Sequence, residues 1–294
     1  MSLSLRKWGT LVILSLIWGS SYILIKKGLT GLTPIQLGSL RVIVTTIIMT
    51  PIGYQQIKHI PRQKMKWVAL SAFVGSFFPA YLFAFAETEI SSSITAVMVS
   101  LTPLFTLLIS VFVFGEELLK KQVFGVLIGF TGIIVLINNE LFSSSFNILY
   151  IMFIVLAAFC YAVNANVLKY KLSNIPALGI VFMSFLFFNA FIMLCFSDFS
   201  FSVFTSVLLI IESIIYIVIL AVFGTAIAKV LYIKLLAIST PVFSVSTTYL
   251  MPVVAIFWGL LDGEEFKLTQ FIGTAIILLG VYLVTKKKAP KKMP

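Results

Sequence analysis

The sequence predicts an all-α integral membrane protein whose ten transmembrane helices form two inverted five-helix repeats. Three observations carry this expectation. Hydrophobic residues make up 60% of the chain and charged residues 11%, with a mean hydropathy of +1.12, leaving too few polar groups to cover a water-facing globule. Ten apolar runs are long enough to cross a hydrocarbon core, which takes roughly 20 residues each. The stretch Gly115-Glu116-Glu117, with Gln122, Gly125 and Gly132 behind it, returns 148 residues later as Gly263-Glu264-Glu265, with Gln270, Gly273 and Gly280. A duplicated unit of five spans starts its second copy on the opposite side of the bilayer, so the copies are inverted, a plan that places a site at their interface.

Taken in order, span one (residues 8–25) follows Arg6 and Lys7 and ends at Lys26 and Lys27; it lacks a small-residue cleavage site and is read as a retained span, not a signal peptide. Span two (34–55) opens on Pro34 and carries Arg41, and span three (67–86) contains Pro79 and Tyr81 and runs into Glu87. Span four (91–114) is broken by Pro103, and span five (122–138) carries Gly125, Gly129 and Gly132, which permit close helix approach. Asn138 to Ser145, too polar to lie unpaired in hydrocarbon, separates a first repeat at 1–139 from a second at 146–285. Spans six (146–168) and seven (177–196) follow, then span eight (207–232) with Glu212 and Lys229. Span nine (240–261) is broken by Pro252, span ten (268–285) carries Gly273 and Gly280, and a basic tail occupies 286–294.

Basic residues set the orientation. With both termini in the cytoplasm, sixteen of the 21 Lys and Arg fall on that side; only Lys26, Lys27 and Lys267 fall on the other, and Arg41 and Lys229 lie within spans. The net charge of +11 thus reads as topology plus attraction to anionic lipid. Lysines scattered over several loops do not make a nucleic-acid face.

Side chains that cost free energy in hydrocarbon mark candidate sites. Arg41 offers a planar fork suited to a carboxylate, and either contacts substrate or pairs with Glu87 or Glu89 as an outer gate. Lys229 either brings positive charge to an anionic substrate or extends its stem toward the cytoplasm. Glu87 and Glu212 are candidate coupling carboxylates if burial raises their pKa, and otherwise solvated residues. Pro103 and Pro252 remove backbone donors and free carbonyls of Val99, Ser100, Thr248 and Tyr249; Ser100, Thr102, Thr248 and Tyr249 gather there as cavity lining or helix-capping hydroxyls. Pro79 joins these prolines as a hinge, and Tyr81 joins the cavity set. Trp18, Ser20, Ser21 and Tyr22 are the polar patch of span one, whose counterpart in span six contains Tyr161, Asn164 and Asn166; two asparagines two apart cannot share a helix face, so at most one enters a cavity.

Enzyme chemistry finds no support. The single histidine, His59, lies in a basic loop, no ligand set has metal spacing, there is no phosphate-binding loop, and Cys160 and Cys195 lie in apolar spans with no redox framework. No cofactor is expected.

Trp18-Gly19-Ser20-Ser21, Pro34 followed by Arg41, the proline-to-Gly-Glu block of each half, and Gly224-Thr225-Ala226 resemble the drug/metabolite transporter superfamily, and within it the EamA-type ten-span permeases. The resemblance implies a ten-helix bundle around a central substrate cavity, with Thr225 among the residues expected to line it. It also implies alternating access and export of amino acids or related small metabolites across a bacterial inner membrane, by a monomer or homodimer. It leads one to expect an aromatic or apolar residue where Lys229 stands. Drug or toxic-metabolite efflux and lipid scrambling are the competing readings.

Overall fold

The computed structural model describes residues 3–117, 119–141, 148–195 and 207–285. The basic tail and residues 142–147 of the junction lie outside them. The elements are α1 (Leu3–Gly28), α2 (Pro34–Gly53), α3 (Met65–Ala72), α4 (Phe78–Ala86), α5 (Ser92–Val99), α6 (Thr102–Phe114), α7 (Lys120–Leu141), α8 (Ile148–Lys171), α9 (Ala177–Cys195), α10 (Val207–Ile219), α11 (Ala228–Ala237), α12 (Pro241–Val245), α13 (Met251–Leu261) and α14 (Leu268–Thr285). No strand occurs among the described residues. Seven helical stretches are long and apolar enough to cross a membrane: 3–28, 34–59, 62–86, 92–114, 148–171, 207–237 and 241–261. Phe112 and Leu208 are each 79% exposed, an outward apolar surface that water does not tolerate on this scale. The chain is a multi-pass membrane protein.

Helix starts follow local chemistry. Thr33 caps α2 through Gln36 N at 3.3 Å while Gln36 Oε1 accepts Thr33 N at 2.9 Å, a reciprocal cap with Pro34 in the first turn, where its missing N–H costs nothing. Pro103 and Pro252 likewise stand in the first turns of α6 and α13, so the chain breaks before each proline and restarts on it. The loosened backbone is bonded by hydroxyls. Thr102 Oγ1 donates to Val99 O (2.7 Å), Ser100 Oγ to Thr248 O (2.8 Å) and Ser15 Oγ to Thr247 O (2.8 Å). Ser100 and Thr248 stand 148 residues apart, so the two breaks touch.

Two further irregularities recur with nearly the same displacement. Phe73–Phe77 and Leu220–Ile227 are π-helical, with Pro79 opening α4 after the first. A π segment shifts the ladder by one residue and leaves carbonyls to other donors; such turns gather at functional sites.

Helices α7 and α14 pack backbone against backbone. A Cβ on Gly132 would stand 2.6 Å from Ile277 N, and one on Gly273 2.6 Å from Leu136 N, distances no side chain survives. The repeat glycines therefore join the last helices of the two halves to each other. Gly115 (φ 71°) and Gly263 (φ 82°) take the left-handed conformation that ends α6 and begins the turn after α13, which glycine adopts without strain. Their glutamates reach different ends of the bundle. Glu264 lies against Lys26 at the C-terminal end of α1. Glu116 accepts from Tyr170 OH near the end of α8, where Lys64 Nζ bonds Lys171 O, beyond the far end of α2.

Candidate substrate cavity

The two π segments supply the frame of a central cavity, whose empty volume is about 940 Å³ with the open space at its mouth included. Its wall draws on both halves: α1, α2, the span of α3 and α4, and the break before α6 from the first; α8, α9, the second π segment, α11 and the broken span nine from the second. Trp18 Nε1 donates to Gly224 O at 2.9 Å, and Lys229 Nζ donates to Gly75 O; both acceptors belong to π segments. Thr225 Oγ1 donates five residues back to Leu220 O (3.1 Å) and accepts from Arg41 Nε at 2.8 Å.

Arg41 is 8% exposed. Thr225 holds its Nε, while its terminal NH2 groups have no hydrogen-bond partner among the described residues. Lys229 turns inward, over the Phe185 ring at 5.9 Å, rather than toward the membrane boundary. No Asp or Glu lines the cavity among the described residues. The walls are aromatic and weakly polar: Trp18 leans on Tyr232 (5.4 Å between rings), and Tyr22, Phe83 and Tyr161 form a row (6.0 and 5.8 Å). Asn164 enters the cavity and accepts from Ser71 Oγ at 2.6 Å. Asn166, two residues on, is fully buried away from it, bonded to Ser110 Oγ, Thr106 O and Ala162 O.

Of the residues singled out from the sequence, Trp18, Ser21, Tyr22, Arg41, Thr102, Asn164, Lys229 and Thr248 line the cavity. Five stand behind or beside it. Thr225 orients Arg41, Ser100 bonds the opposite break, and Tyr81 OH meets Ser39 Oγ at 2.9 Å. Ser20 accepts from Trp258 Nε1 on an exposed face (2.9 Å), and Tyr249 follows the break outside the lining. Glu212 is exposed and takes the Tyr216 hydroxyl (3.0 Å). Glu87 is buried, and neither of its oxygens meets a hydrogen-bond donor in good geometry among the described residues. Burial pushes its carboxyl well above the usual range, with Glu264 adding to this and Arg41 and Lys26 opposing. Sequence reasoning passed over Ser71, Ser76, Ser184 and Tyr232, which carry no signal distinguishing them from ordinary helix serines and aromatics.

It also passed over an ionic cluster at the Lys26 end. Lys26 Nζ lies 2.8 Å from Asp262 and 3.0 Å from Glu264, and Lys27 pairs with Asp262. Glu264 further accepts from Ser92 N and Oγ (3.0 and 2.7 Å) and from Ser93 N and Oγ (3.2 and 2.6 Å) at the start of α5. Gly259 makes room: a Cβ there would collide with Ser93 Oγ and Glu264 Oε2. The cluster joins α1 and α5 of the first half to the turn after α13 of the second.

Comparison with known proteins agrees with this architecture. A transporter described as uncharacterized from Archaeoglobus fulgidus is 26% identical over 294 residues, covering 97% of this chain and 100% of that one. An uncharacterized inner membrane transporter of Escherichia coli, YedA, is 26% identical over 286 residues (96% and 91%). A probable amino-acid metabolite efflux pump of E. coli is 27% identical over 170 residues, 58% of this chain and 55% of the pump. A solved crystal structure shares the fold with a TM-score of 0.65 at 17% identity, with 96% of each chain covered. The profile of the EamA-like transporter family matches residues 7–138 and 148–286, nearly the whole chain in two copies. The chain is a transporter rather than an enzyme and belongs to the EamA-like transporter family.

Proposed function

We propose that this chain is a secondary transporter of ten spans in two inverted repeats, 1–139 and 146–285 with a cytoplasmic tail at 286–294, exporting amino acids or related small metabolites by alternating access. The observation that carries this reading is the cavity at the junction of the halves, which holds Arg41 and Lys229 over aromatic walls. Buried charge in a membrane protein costs free energy that a bound substrate offsets. The inverted arrangement is supported by the Gly115 and Gly263 turns, whose glutamates meet opposite ends of the bundle. Alternating access is supported by the touching helix breaks and by the Lys26, Asp262 and Glu264 cluster, which acts in this reading as an outer latch while Glu116 stays exposed at the other end. The export of amino-acid metabolites is suggested by a relative at 27% identity that is described as a probable amino-acid metabolite efflux pump.

Within this reading Arg41 takes the substrate carboxylate, Trp18 and Tyr22 pack on its apolar part, and Ser21, Thr102, Asn164 and Thr248 offer hydrogen bonds. Glu87, buried without a donor, is the coupling candidate; exposed Glu212 is not. Efflux of apolar drugs would leave buried Arg41 and partly buried Lys229 without a compensating charge. Lipid scrambling would call for a polar groove facing lipid, whereas Arg41 is buried at the interface of the halves. Two measurements test the proposal. Counterflow of amino acids in proteoliposomes is expected to saturate, and absence of solute flux with lipid flipping present would refute it. Cysteines replacing Glu117 and Glu265, both exposed, should react with impermeant thiol reagents from opposite compartments; labelling from one side alone would refute the inverted arrangement.

A further inference from the structure

We infer that the solute carried through this cavity is an organic anion with two acid groups, a dicarboxylate or an acidic amino acid, rather than a neutral zwitterion. This rests on the transporter reading and narrows it. The Arg41 guanidinium is fixed by Thr225, whose own proton is committed to Leu220 O, so the fork cannot turn away, and its terminal NH2 groups have no hydrogen-bond partner among the described residues. Two parallel N–H groups in a plane match one carboxylate. Lys229 rests on a backbone carbonyl, that of Gly75, and beside the Phe185 ring; neither carries a compensating charge.

The lining provides no acid to balance these two groups among the described residues. Glu87 is buried, and neither of its oxygens meets a hydrogen-bond donor in good geometry among the described residues, a setting that disfavours its charged form. Glu264 directs its charge at Lys26, Ser92 and Ser93.

A neutral zwitterion would satisfy Arg41 with its single carboxylate but bring an ammonium with no second acid group to offset it or to meet Lys229. A monoacid would leave Lys229 facing a low-dielectric cavity unpaired, which is costly. Two acid groups on one small solute satisfy both cations. The ring pair of Trp18 and Tyr232 and the row of Tyr22, Phe83 and Tyr161 then enclose its carbon skeleton. Lys229 is in this account a specificity residue; its counterpart 148 residues earlier is Tyr81, so the charge belongs to one half only.

The test is counterflow in proteoliposomes with four labelled probes at equal concentration: succinate, glutamate, leucine and lysine. Succinate and glutamate should exchange at least tenfold faster than leucine, with lysine inert. Lys229→Gln should raise the KM for succinate at least tenfold and leave that for leucine unchanged, and Lys229→Arg should restore it. Because the variant can fail to fold, its melting in detergent is measured with and without succinate. A wild-type upward shift that Lys229→Gln loses, while the variant still melts cooperatively, supports the assignment. Leucine or lysine exchanging as fast as succinate, or an unchanged succinate KM in Lys229→Gln, overturns it. If none of the four moves but a wider panel of metabolites does, the anion class fails and the transporter reading stands; if nothing moves, both fail.

Discussion

Replacing Glu264 with Gln should release the end of the bundle that Lys26 closes. The Glu264 carboxylate, its side chain 6% exposed, collects five donors: Ser92 N and Oγ, Ser93 N and Oγ, and Lys26 Nζ, all between 2.6 and 3.2 Å. Burial alone would raise its pKa, but hydrogen bonds from Ser93, Ser92 and Lys26 together outweigh that and hold it below the usual value. In Glu264→Gln one carboxylate oxygen becomes an NH2 that faces donors, and the charge assistance of the remaining bonds is lost. Hydrogen bonds to charged groups contribute about 1.5–3 kcal/mol each. The Lys26 side chain is a third exposed, so its share is discounted for screening. A net loss of about 3 kcal/mol is a factor of roughly 100 in an equilibrium constant, and that factor is the expected rise in the population open at this end. The assay places a single cysteine at Tyr22, in a background with Cys160 and Cys195 replaced by Ser, and follows its reaction with an impermeant thiol reagent added outside. Labelling should quicken by tens to a hundredfold in Glu264→Gln and stay unchanged in Glu265→Gln, whose side chain is exposed. A rate within twofold of the parent in Glu264→Gln would refute the latch.

Three further outcomes are expected. Arg41→Ala should reduce counterflow at least tenfold, and Arg41→Lys should fail to restore it, since one ammonium cannot both hold Thr225 and present a planar fork; full flux in either variant would remove Arg41 from the site. Asn166→Ala deletes three buried hydrogen bonds at about 1 kcal/mol each, so melting in detergent should fall by several degrees while the substrate KM of the surviving protein stays constant. Glu87 has a folded pKa above its unfolded value, so the folded state holds its proton where the unfolded chain loses it. Stability should therefore decline as pH rises from the unfolded pKa of about 4.3 toward the folded one. The wild type should melt lower at pH 8 than at pH 5.5, and Glu87→Gln should abolish the difference; an undiminished pH effect in that variant would exclude Glu87 as its source.

Much of the scaffold was legible because membranes simplify the code: a span must be apolar and helical, and a duplicated motif declares itself at a fixed displacement. The repeated block holding Gly115, Gln122, Gly263 and Gln270 and both proline breaks follow directly; that the two glutamines cap their helices through Leu119 N and Lys267 N (2.9 and 2.7 Å) is added by the structure. Arg41 and Lys229 were legible for the same reason, since hydrocarbon makes every ionisable side chain conspicuous. What the sequence hid was of two kinds. The π segments leave no residue signature, because a one-residue shift of the ladder changes the partner of each carbonyl without changing composition. The ionic cluster was hidden because Lys26 and Glu264 are 238 residues apart and each is ordinary at a helix end; only the fold reveals that the missing side chain of Gly259 lets Ser93 and Glu264 meet.

Symmetry in this molecule is strongest in the backbone, and the chemistry of the cavity lies where it is broken. Left-handed glycines, π segments and proline breaks recur at or near a displacement of 148 residues, and Ser100 meets its own counterpart, Thr248, across the interface. In the proposed mechanism, two similar halves supply two conformations of similar free energy, as alternation between them requires. A binding site has the opposite requirement, because a small solute has one end unlike the other. The side chains meet it: Trp18 stands opposite Asn166 in the repeat, one in the cavity and one fully buried. Lys229 stands opposite Tyr81 and Thr225 opposite Phe77, so the second half alone supplies both the ammonium and the hydroxyl that aims Arg41. Exchanging Lys229 and Tyr81 between the halves would keep composition and span lengths, yet it would move the charge off the Gly75 carbonyl and out of the lining. Recognition should then be lost while the fold is retained, which separates what the duplication built from what later substitution added.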